Sequence, residues 1–439
     1  MLSMIGLITG LVLLTVLTMR GMNLLIAGPI SALVVALFSG MPMFAQVAPE
    51  GAPNLVTSYM EGFASFVTSW YLMFLLGAIF GKVMEDSGAA DSVSQWFVSK
   101  LGMKYAVLAI VAACAVLTYG GVSLFVVAFS VYPMAISLFR QANLPRRFIP
   151  AALGFGSVTF TMTSAGSPEI QNWIPIEYLG TSHLAGWEVS AIVAVFMMIF
   201  GYWWLKKMIG KAVARGETFS ARDDDPVDER SNLPNPLLGL IPLVVVLVIS
   251  YIFHDSLKQS ALIVALLGGI ITTYLLNRSY FNNFGSAVSA GTLGALVAIA
   301  NTAAVVGFGS VAKQVPAFQM AVDAMTSIPG SPLIGGAIAV SVIAGMTGSA
   351  SGGQVIALPL IAPHYLDMGV NPEAMHRVVA ISSGVLDSMP HNGYVVTTIR
   401  GICGETHKDA YGAVGAMTVI VPLIGLILAI ALFSIGLGL

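Results

Sequence analysis

The chain has 439 residues, of which 57% are hydrophobic and only 9% are charged, and its mean hydropathy is +0.88. This composition excludes a water-soluble globular protein and predicts an all-α polytopic membrane protein. The formal net charge of −2 offers no basic face, so no nucleic-acid partner is expected. The two cysteines, Cys114 and Cys403, cannot form a disulfide framework and match no metal-binding spacing. We therefore expect no metal and no cofactor.

Apolar runs that can cross a bilayer recur along the chain. A helix needs about 20 apolar residues to cross about 30 Å of hydrocarbon. Together with shorter apolar pieces, these runs predict about 10–12 segments within the lipid bilayer. The run within residues 1–19 lacks a basic flank and a clear cleavage site, so we expect it to be a retained span. The long runs begin near Met4, Met22, Phe66, Trp187, Pro236, Gln259, Gly291 and Tyr411.

Two polar elements interrupt each half of the chain, and they recur in the same order. The first half has a glycine-containing tip at 118–123 and a longer break at 159–172. The second half has a tip at 347–354 and a break at 387–393. Hydrocarbon cannot satisfy the exposed backbone groups of such elements, so they are expected to face protein or a water-filled cavity. Paired interruptions in two halves are typical of the binding site of a transporter.

These interruptions predict two repeats of inverted topology, each with a re-entrant helical hairpin and a broken transmembrane helix. The only long hydrophilic stretch lies between the repeats and is predicted to be a solvated linker. The parts are expected at 1–208 (first repeat, hairpin near 105–139, broken helix near 148–175), 209–235 (linker) and 236–439 (second repeat, hairpin near 333–366, broken helix near 376–399).

The basic residues predict the orientation. With the N-terminus outside and each broken helix crossing the membrane, 16 of the 19 Lys and Arg residues fall on the cytoplasmic side, as the positive-inside rule requires. Only Lys258, Lys313 and Arg377 fall outside. The first half then starts outside and the second half starts inside, which is the inverted topology, and the linker is cytoplasmic.

The tips and breaks carry the candidate substrate-binding residues. A tip exposes main-chain N–H groups at the N-terminus of a half-helix, where an anionic group can bind without an arginine. Neighbouring hydroxyl and amide groups can add hydrogen bonds, although Gly, Ser and Thr also permit close helix packing. The candidates are Thr118, Tyr119, Gly120, Gly121, Ser123, Ser164, Gly166, Ser167, Asn172, Thr347, Ser349, Ser351, Gly352, Gly353, Ser388, His391 and Asn392.

Two carboxylates lie in the central breaks, Glu169 in the first and Asp387 in the second. Intramembrane carboxylates are costly, at about 2.5–3.5 kcal/mol on insertion scales, and so are functional candidates. No Lys or Arg is expected at this depth, so protonation of a carboxyl group would relieve its repulsion of an anionic substrate. Glu169, Asp387 and His391 are the candidate proton carriers, with a hydrogen-bonded structural role as the alternative. Asn301 and Thr302 are weaker candidates, for which helix packing is the expected role.

Two other classes of protein stay open at this point. An intramembrane hydrolase would use Ser123, Ser349 or Ser351 as nucleophile, His391 as base and Asp387 as the orienting group. The sequence has these residue types but no specific hydrolase motif, and a repeat has no role in a single triad. A passive channel would need neither central charges nor two hairpins.

Six stretches of the chain carry a resemblance to a known family: Phe74–Lys82, Glu85–Ala90, Leu117–Val126, Thr159–Met162, Gln171–Pro175 and Leu386–Gly393. They resemble the gluconate:proton symporter (GntP) family of bacterial permeases, within the ion transporter superfamily. The second break resembles the branch that includes permeases for D-3-hydroxybutyrate and related short hydroxyacids, and differs there from the gluconate carriers. The resemblance extends over nearly the whole chain.

The resemblance implies proton-coupled import of a small organic anion, a short hydroxycarboxylate such as 3-hydroxybutyrate or gluconate, across the bacterial cytoplasmic (inner) membrane. It also implies a homodimer with an elevator-type alternating-access mechanism, in which a moving domain carries both hairpins. Sodium coupling occurs elsewhere in the superfamily, so a sodium-coupled carboxylate transporter is the alternative.

Overall fold

A computed structural model describes residues 2–20, 22–101, 105–122, 124–222, 225, 232–257, 260–326, 332–390 and 392–438. This part of the chain is helical and contains no strand, which confirms the all-α prediction. The helices of the first half are α1 (Leu2–Met19), α2 (Leu24–Ser39), α3 (Leu55–Asp86), α4 (Ala89–Leu101), α5 (Ala106–Tyr119), α6 (Leu124–Gln141), α7 (Ile149–Gly154), α8 (Ile174–Leu179) and α9 (Trp187–Ala214).

The second half is also built of long and short helices. A π-helical turn follows α7, another follows α17, and a third joins α18 to α19. The helices are α10 (Pro236–Leu257), α11 (Ala261–Asn277), α12 (Phe284–Lys313), α13 (Pro316–Thr326), α14 (Pro332–Thr347), α15 (Ala350–Asp367), α16 (Pro372–Leu386), α17 (Gly393–Val396), α18 (His407–Gly415) and α19 (Val421–Ser434).

Among the described residues, six helical stretches are long and apolar enough to cross a membrane, and four shorter apolar helices accompany them. Two of the long helices begin earlier than hydropathy predicts. The Asn54 side chain accepts a hydrogen bond from the Thr57 amide and starts α3 at Leu55, although the apolar run of this helix was expected to begin near Phe66. Asn283 caps α12 in the same way. A side-chain cap satisfies the free N–H groups of a helix end, so polar residues can form its first turns.

The long helices α3 and α12 pack against each other and form the centre of one bundle. Glycines let their backbones approach: a Cβ atom added at Gly291 would lie 2.7 Å from the Cα of Ile79, and one added at Gly307 would lie 2.9 Å from the main-chain oxygen of Tyr59. Small residues at such crossings are typical of helix packing in membranes.

The remaining helices pack around this pair with matching contacts in the two halves. Helix α2 contacts α12 as α11 contacts α3, and α1 contacts α13 as α10 contacts α4. The hairpins α5–α6 and α14–α15 form a second group with α7, α8, α16 and α19. Each hairpin is followed by a helix that ends inside the fold: α7 with its π-helical turn in the first half, and α16 in the second. The ends of these two helices lie at the site described below.

Part of the linker is packed rather than solvated. The Asp225 side chain is 3% exposed and lies 2.8 Å from the Arg146 guanidinium, which also contacts Glu405 at 3.0 Å. Arg222 binds the same Glu405 carboxylate at 2.9 Å, and Arg140 binds Asp225 at 2.9 Å. We call this group of ion pairs the linker clasp. It joins the linker to the start of the first broken helix and to the loop after the second.

Candidate functional site

A cavity of about 290 Å³ lies where the tips and breaks of both halves meet α3, α11 and α12. Every one of the four predicted interruptions contributes to its wall. The polar wall residues are Glu169, Gln171, Asn301, Thr302, Ser349, Ser351, Asp387, Ser388, Asn392 and Tyr394, and apolar ones include Met73, Phe74, Val158, Met162, Leu262, Leu266 and Val305.

The second tip supplies a capped helix end to the wall. Gly348 has a φ of +64°, which lets the chain turn sharply between α14 and α15. Ser349 is the N-cap of α15, and its Oγ accepts a hydrogen bond from the Gly352 amide at 3.1 Å. The first turn of this 18-residue helix therefore carries main-chain N–H groups and the positive end of a helix dipole next to the cavity.

The second break places a carboxylate in the wall. Asp387 is 6% exposed, and its Oδ1 accepts a hydrogen bond from the Ser388 hydroxyl at 3.0 Å. Asn392 caps α17 by accepting from the Val395 amide and donates to the Gly348 main-chain oxygen, at 2.9 Å in both cases. Asn392 therefore ties the second break to the second tip.

The first break contributes the other carboxylate, Glu169, and is held by a residue of the second half. Arg377 of α16 is fully buried. Its guanidinium donates to the main-chain oxygen of Thr163 at 2.6 Å, to that of Ala185 at 2.8 Å and to the Asn172 side-chain oxygen at 2.8 Å. Asn172 in turn donates to the main-chain oxygens of Ser167 and His183. We call this network the arginine brace.

The first tip lies against the first break. The Tyr119 hydroxyl donates to the Ala165 main-chain oxygen at 2.7 Å. Gly121, with a φ of +91°, reaches the cavity wall. Gly120 instead packs on Leu243, and Thr118 is fully buried with no partner for its hydroxyl among the described residues.

The other candidates from the sequence lie behind the wall or outside the described residues. Ser164, Gly166, Ser167 and Asn172 support the backbone of the first break, and Gly352 and Gly353 lie inside α15. A Cβ atom added at Gly353 would lie 2.6 Å from the Ala344 backbone, so this glycine serves the close contact of α14 with α15. Ser123, His391 and the side chain of Thr347 lie outside what the structure describes.

The expectation that no Lys or Arg lies at the depth of the breaks was wrong, because Arg377 is fully buried against the first break. Its partners are mainly main-chain oxygens, distant in sequence, which no local motif reveals. Gln171 was not singled out, and the cavity exposure of Asn301 and Thr302 was not expected, although polar residues in apolar runs were a signal. Even so, Glu169 and Asp387 are the only charged side chains among the described residues of the wall.

The architecture is that of a membrane transporter, with two hairpins and two broken helices around one central cavity. A solved structure is similar in fold: the Alcanivorax borkumensis YdaH transporter, whose crystal structure is reported to have an unusual topology. It matches with a TM-score of 0.53 and 14% identity over 99% of this chain and 98% of that one. At this identity the likeness concerns the fold alone.

The model of the GntP family permease matches residues 2–436, so the chain belongs to the GntP permease family and is a multi-pass membrane transporter. It is 35% identical to the uncharacterized transporter YxjC of Bacillus subtilis, over 91% of this chain and 92% of that protein. It is 24% identical to the high-affinity gluconate transporter of Escherichia coli, over 56% and 53% of the two chains. The resemblance to the GntP family inferred from the motifs is thereby confirmed.

Proposed function

We propose that the protein is a secondary active transporter that imports a small organic anion together with protons. The substrate class is a short hydroxycarboxylate, such as 3-hydroxybutyrate or gluconate. The observation that carries this proposal is the single cavity to which all four interruptions contribute, with two carboxylates and no basic side chain among its described wall residues. A cavity of about 290 Å³ suits a small molecule.

The second tip supports the binding of an anion in this cavity. A carboxylate can accept hydrogen bonds from main-chain N–H groups at a helix N-terminus, where the helix dipole also favours negative charge. Helix α15 begins at the wall, and Ser349 and Ser351 add hydroxyl groups. These groups provide the attraction that a basic residue would otherwise supply.

The charges of the wall support the proposed proton coupling. An anionic substrate beside ionised Asp387 and Glu169 would be repelled, because like charges at short range in a poorly solvated site interact strongly. Protonation of one carboxyl group removes this repulsion, so substrate and proton bind together more readily than either binds alone. Asp387 and Glu169 are the proposed carriers, and His391 stays a candidate.

The packing supports an elevator-type movement between the two groups of helices. The bundle around α3 and α12 would be the scaffold, and the group with both hairpins would move. The matching contacts of the two halves support two repeats of inverted topology, with the N-terminus outside and the linker cytoplasmic. We propose a homodimer in the bacterial cytoplasmic membrane, as the resemblance implies.

Transport assays in proteoliposomes test the proposal. The full chain is reconstituted, and uptake of radiolabelled 3-hydroxybutyrate and gluconate is measured with an inward proton gradient, an inward sodium gradient or neither. We expect accumulation only with the proton gradient, and competition by unlabelled citrate, lactate and serine will define the substrate further. Accumulation driven by sodium alone favours the sodium-coupled alternative. Equilibration without accumulation indicates a channel, and appearance of a hydrolysis product from an ester or amide substrate would support the remote hydrolase alternative.

A further inference from the structure

Two amide side chains in the wall have unpaired oxygen atoms. Gln171 in the first break is 8% exposed, and its Oε1 is buried without a hydrogen-bond partner among the described residues. Asn301 lies on α12, and its Oδ1 is buried and unpaired in the same sense. Both residues line the cavity. The backbone of Gln171 is fixed from the second hairpin, because Gln354 Nε2 donates to its main-chain oxygen at 2.8 Å.

An unpaired amide in a cavity wall favours a ligand that can donate a hydrogen bond. A buried acceptor without a partner costs free energy, and a ligand that supplies the missing donor recovers that cost. An alcohol hydroxyl both donates and accepts, whereas a carboxylate only accepts. The pair of amides therefore matches a hydroxyl group better than a carboxylate.

We propose that Gln171 and Asn301 form a subsite that recognises the hydroxyl group of the substrate, while the second tip binds its carboxylate. The inference deepens the proposed function and rests on it. Its two parts lie on different bodies of the molecule, since Gln171 belongs to the first break and Asn301 belongs to the α3–α12 bundle. The hydroxyl group would thus form hydrogen bonds with residues of both groups of helices.

The subsite predicts selectivity against analogues without a hydroxyl group. A site built to hydrogen-bond a hydroxyl rejects the analogue that lacks it, because the polar groups of the site then remain unpaired. Butyrate and 3-hydroxybutyrate differ by this one group. Their competition for transport therefore measures the subsite directly.

The test uses the full chain in proteoliposomes, with Asn301→Leu and Gln171→Leu as variants. The control is Asn277→Leu at the end of α11, whose Oδ1 is also buried and unpaired but which does not line the cavity. The readout is the ratio of the butyrate and 3-hydroxybutyrate concentrations that halve the uptake of a labelled substrate, either 3-hydroxybutyrate or gluconate. We expect a ratio of about tenfold or more for the wild type and the control, and about threefold or less for each variant.

The outcomes separate this inference from the proposed function. A wild-type ratio near one, or a wild-type ratio that survives in both variants, overturns the subsite and leaves the transporter assignment standing. Failure of the wild type to take up either labelled acid overturns the proposed substrate class and the subsite with it. Asn301→Ser provides a milder variant if the leucine variants do not reach the membrane: a reduced ratio supports the subsite, and an unchanged one contradicts it.

Discussion

The two breaks face the same cavity but are held together by different chemistry. The first is fixed by the arginine brace, in which one buried guanidinium from the other half of the chain binds several oxygens. The described contacts of the second include no buried cation: Asn392 donates to Gly348, the Tyr411 hydroxyl donates to the Ser388 main-chain oxygen at 3.2 Å, and His407 Nε2 lies 3.0 Å from the Pro390 main-chain oxygen. A break with a charged brace cannot rearrange without exposing a buried cation, whereas one with neutral ties can adjust more easily. We infer that the second break is the adjustable one.

The comparison also separates the two carboxylates. No ion pair joins either carboxylate to a described residue, and Asp387 accepts a hydrogen bond from Ser388. Glu169 lies in the braced break, a few residues from Asn172 and its arginine partner. Asp387 therefore differs from Glu169 in lying on the more adjustable backbone, and it is our first choice for the coupling proton.

The largest effect is expected from Asp387→Asn. An amide cannot exchange a proton, so accumulation driven by a pH gradient should fall to the level of protein-free vesicles, while exchange of labelled for unlabelled substrate persists. Glu169→Gln is the matched variant in the first break and should retain part of the accumulation. Uptake and exchange in proteoliposomes measure both quantities. Intact pH-driven accumulation in Asp387→Asn would show that Asp387 is not the coupling group. Glu169 in the first break would then be the first choice.

The next effect is expected from Arg377→Met, which removes the arginine brace and leaves several buried oxygens without a donor. We expect the free energy of unfolding to fall by about 3–5 kcal/mol, since each unpaired buried group costs about 1–3 kcal/mol. Thermal unfolding in detergent measures the change, with Arg377→Lys as the conservative control. Lysine keeps the charge but not the planar set of donors, so it should recover only part of the loss. If Arg377→Met is as stable as the wild type, the first break does not depend on the arginine brace for its stability.

The smallest effect, on the free energy of unfolding, is expected from a substitution of Asp225 in the linker clasp. Burial raises the pKa of Asp225, but the Arg222 amide and the guanidinium groups of Arg146 and Arg140 outweigh burial and lower this pKa below its ordinary value. A lowered pKa gives stability that is present above the pKa of the unfolded chain and is lost as the pH falls through the folded value.

Asp225→Asn should therefore lower the free energy of unfolding at neutral pH by about 1–2 kcal/mol. The difference from the wild type should shrink as the pH falls below about 4, because the carboxyl group of the unfolded chain then takes up a proton while the folded carboxylate stays ionised to lower pH. Unfolding midpoints at several pH values measure this. A difference that is constant with pH would show that the carboxylate charge is not what stabilises the clasp.

Local chemistry explains which parts of the fold and site could be predicted. Glycine, proline, serine and threonine within apolar runs revealed the tips and breaks, because these residues interrupt helices wherever they occur in such numbers. The positions of Glu169 and Asp387 followed from the same pattern. The early start of α3 was missed because its first turns are polar and hydropathy ignores the Asn54 cap.

The unpredicted parts depend on contacts between residues distant in sequence. The burial of Arg377 was not predicted because its partners are mainly main-chain oxygens, which every sequence contains. Asp225 looked solvated because the run of charges around it is hydrophilic, and only the fold brings Arg146 and Glu405 beside it. The roles of Asn172 and Gly353 in packing could not be separated from ligand binding by residue type alone.

The arginine brace also sets an order of events during synthesis. The first break leaves the ribosome long before Arg377, so the first half enters the membrane with the oxygens of Thr163 and Asn172 lacking their guanidinium partner. The backbone around Glu169 can take its final form only after most of the second half has been made. A nascent chain that stops before α16 thus contains the first carboxylate but not the means to position it, so an incomplete product cannot form the finished cavity.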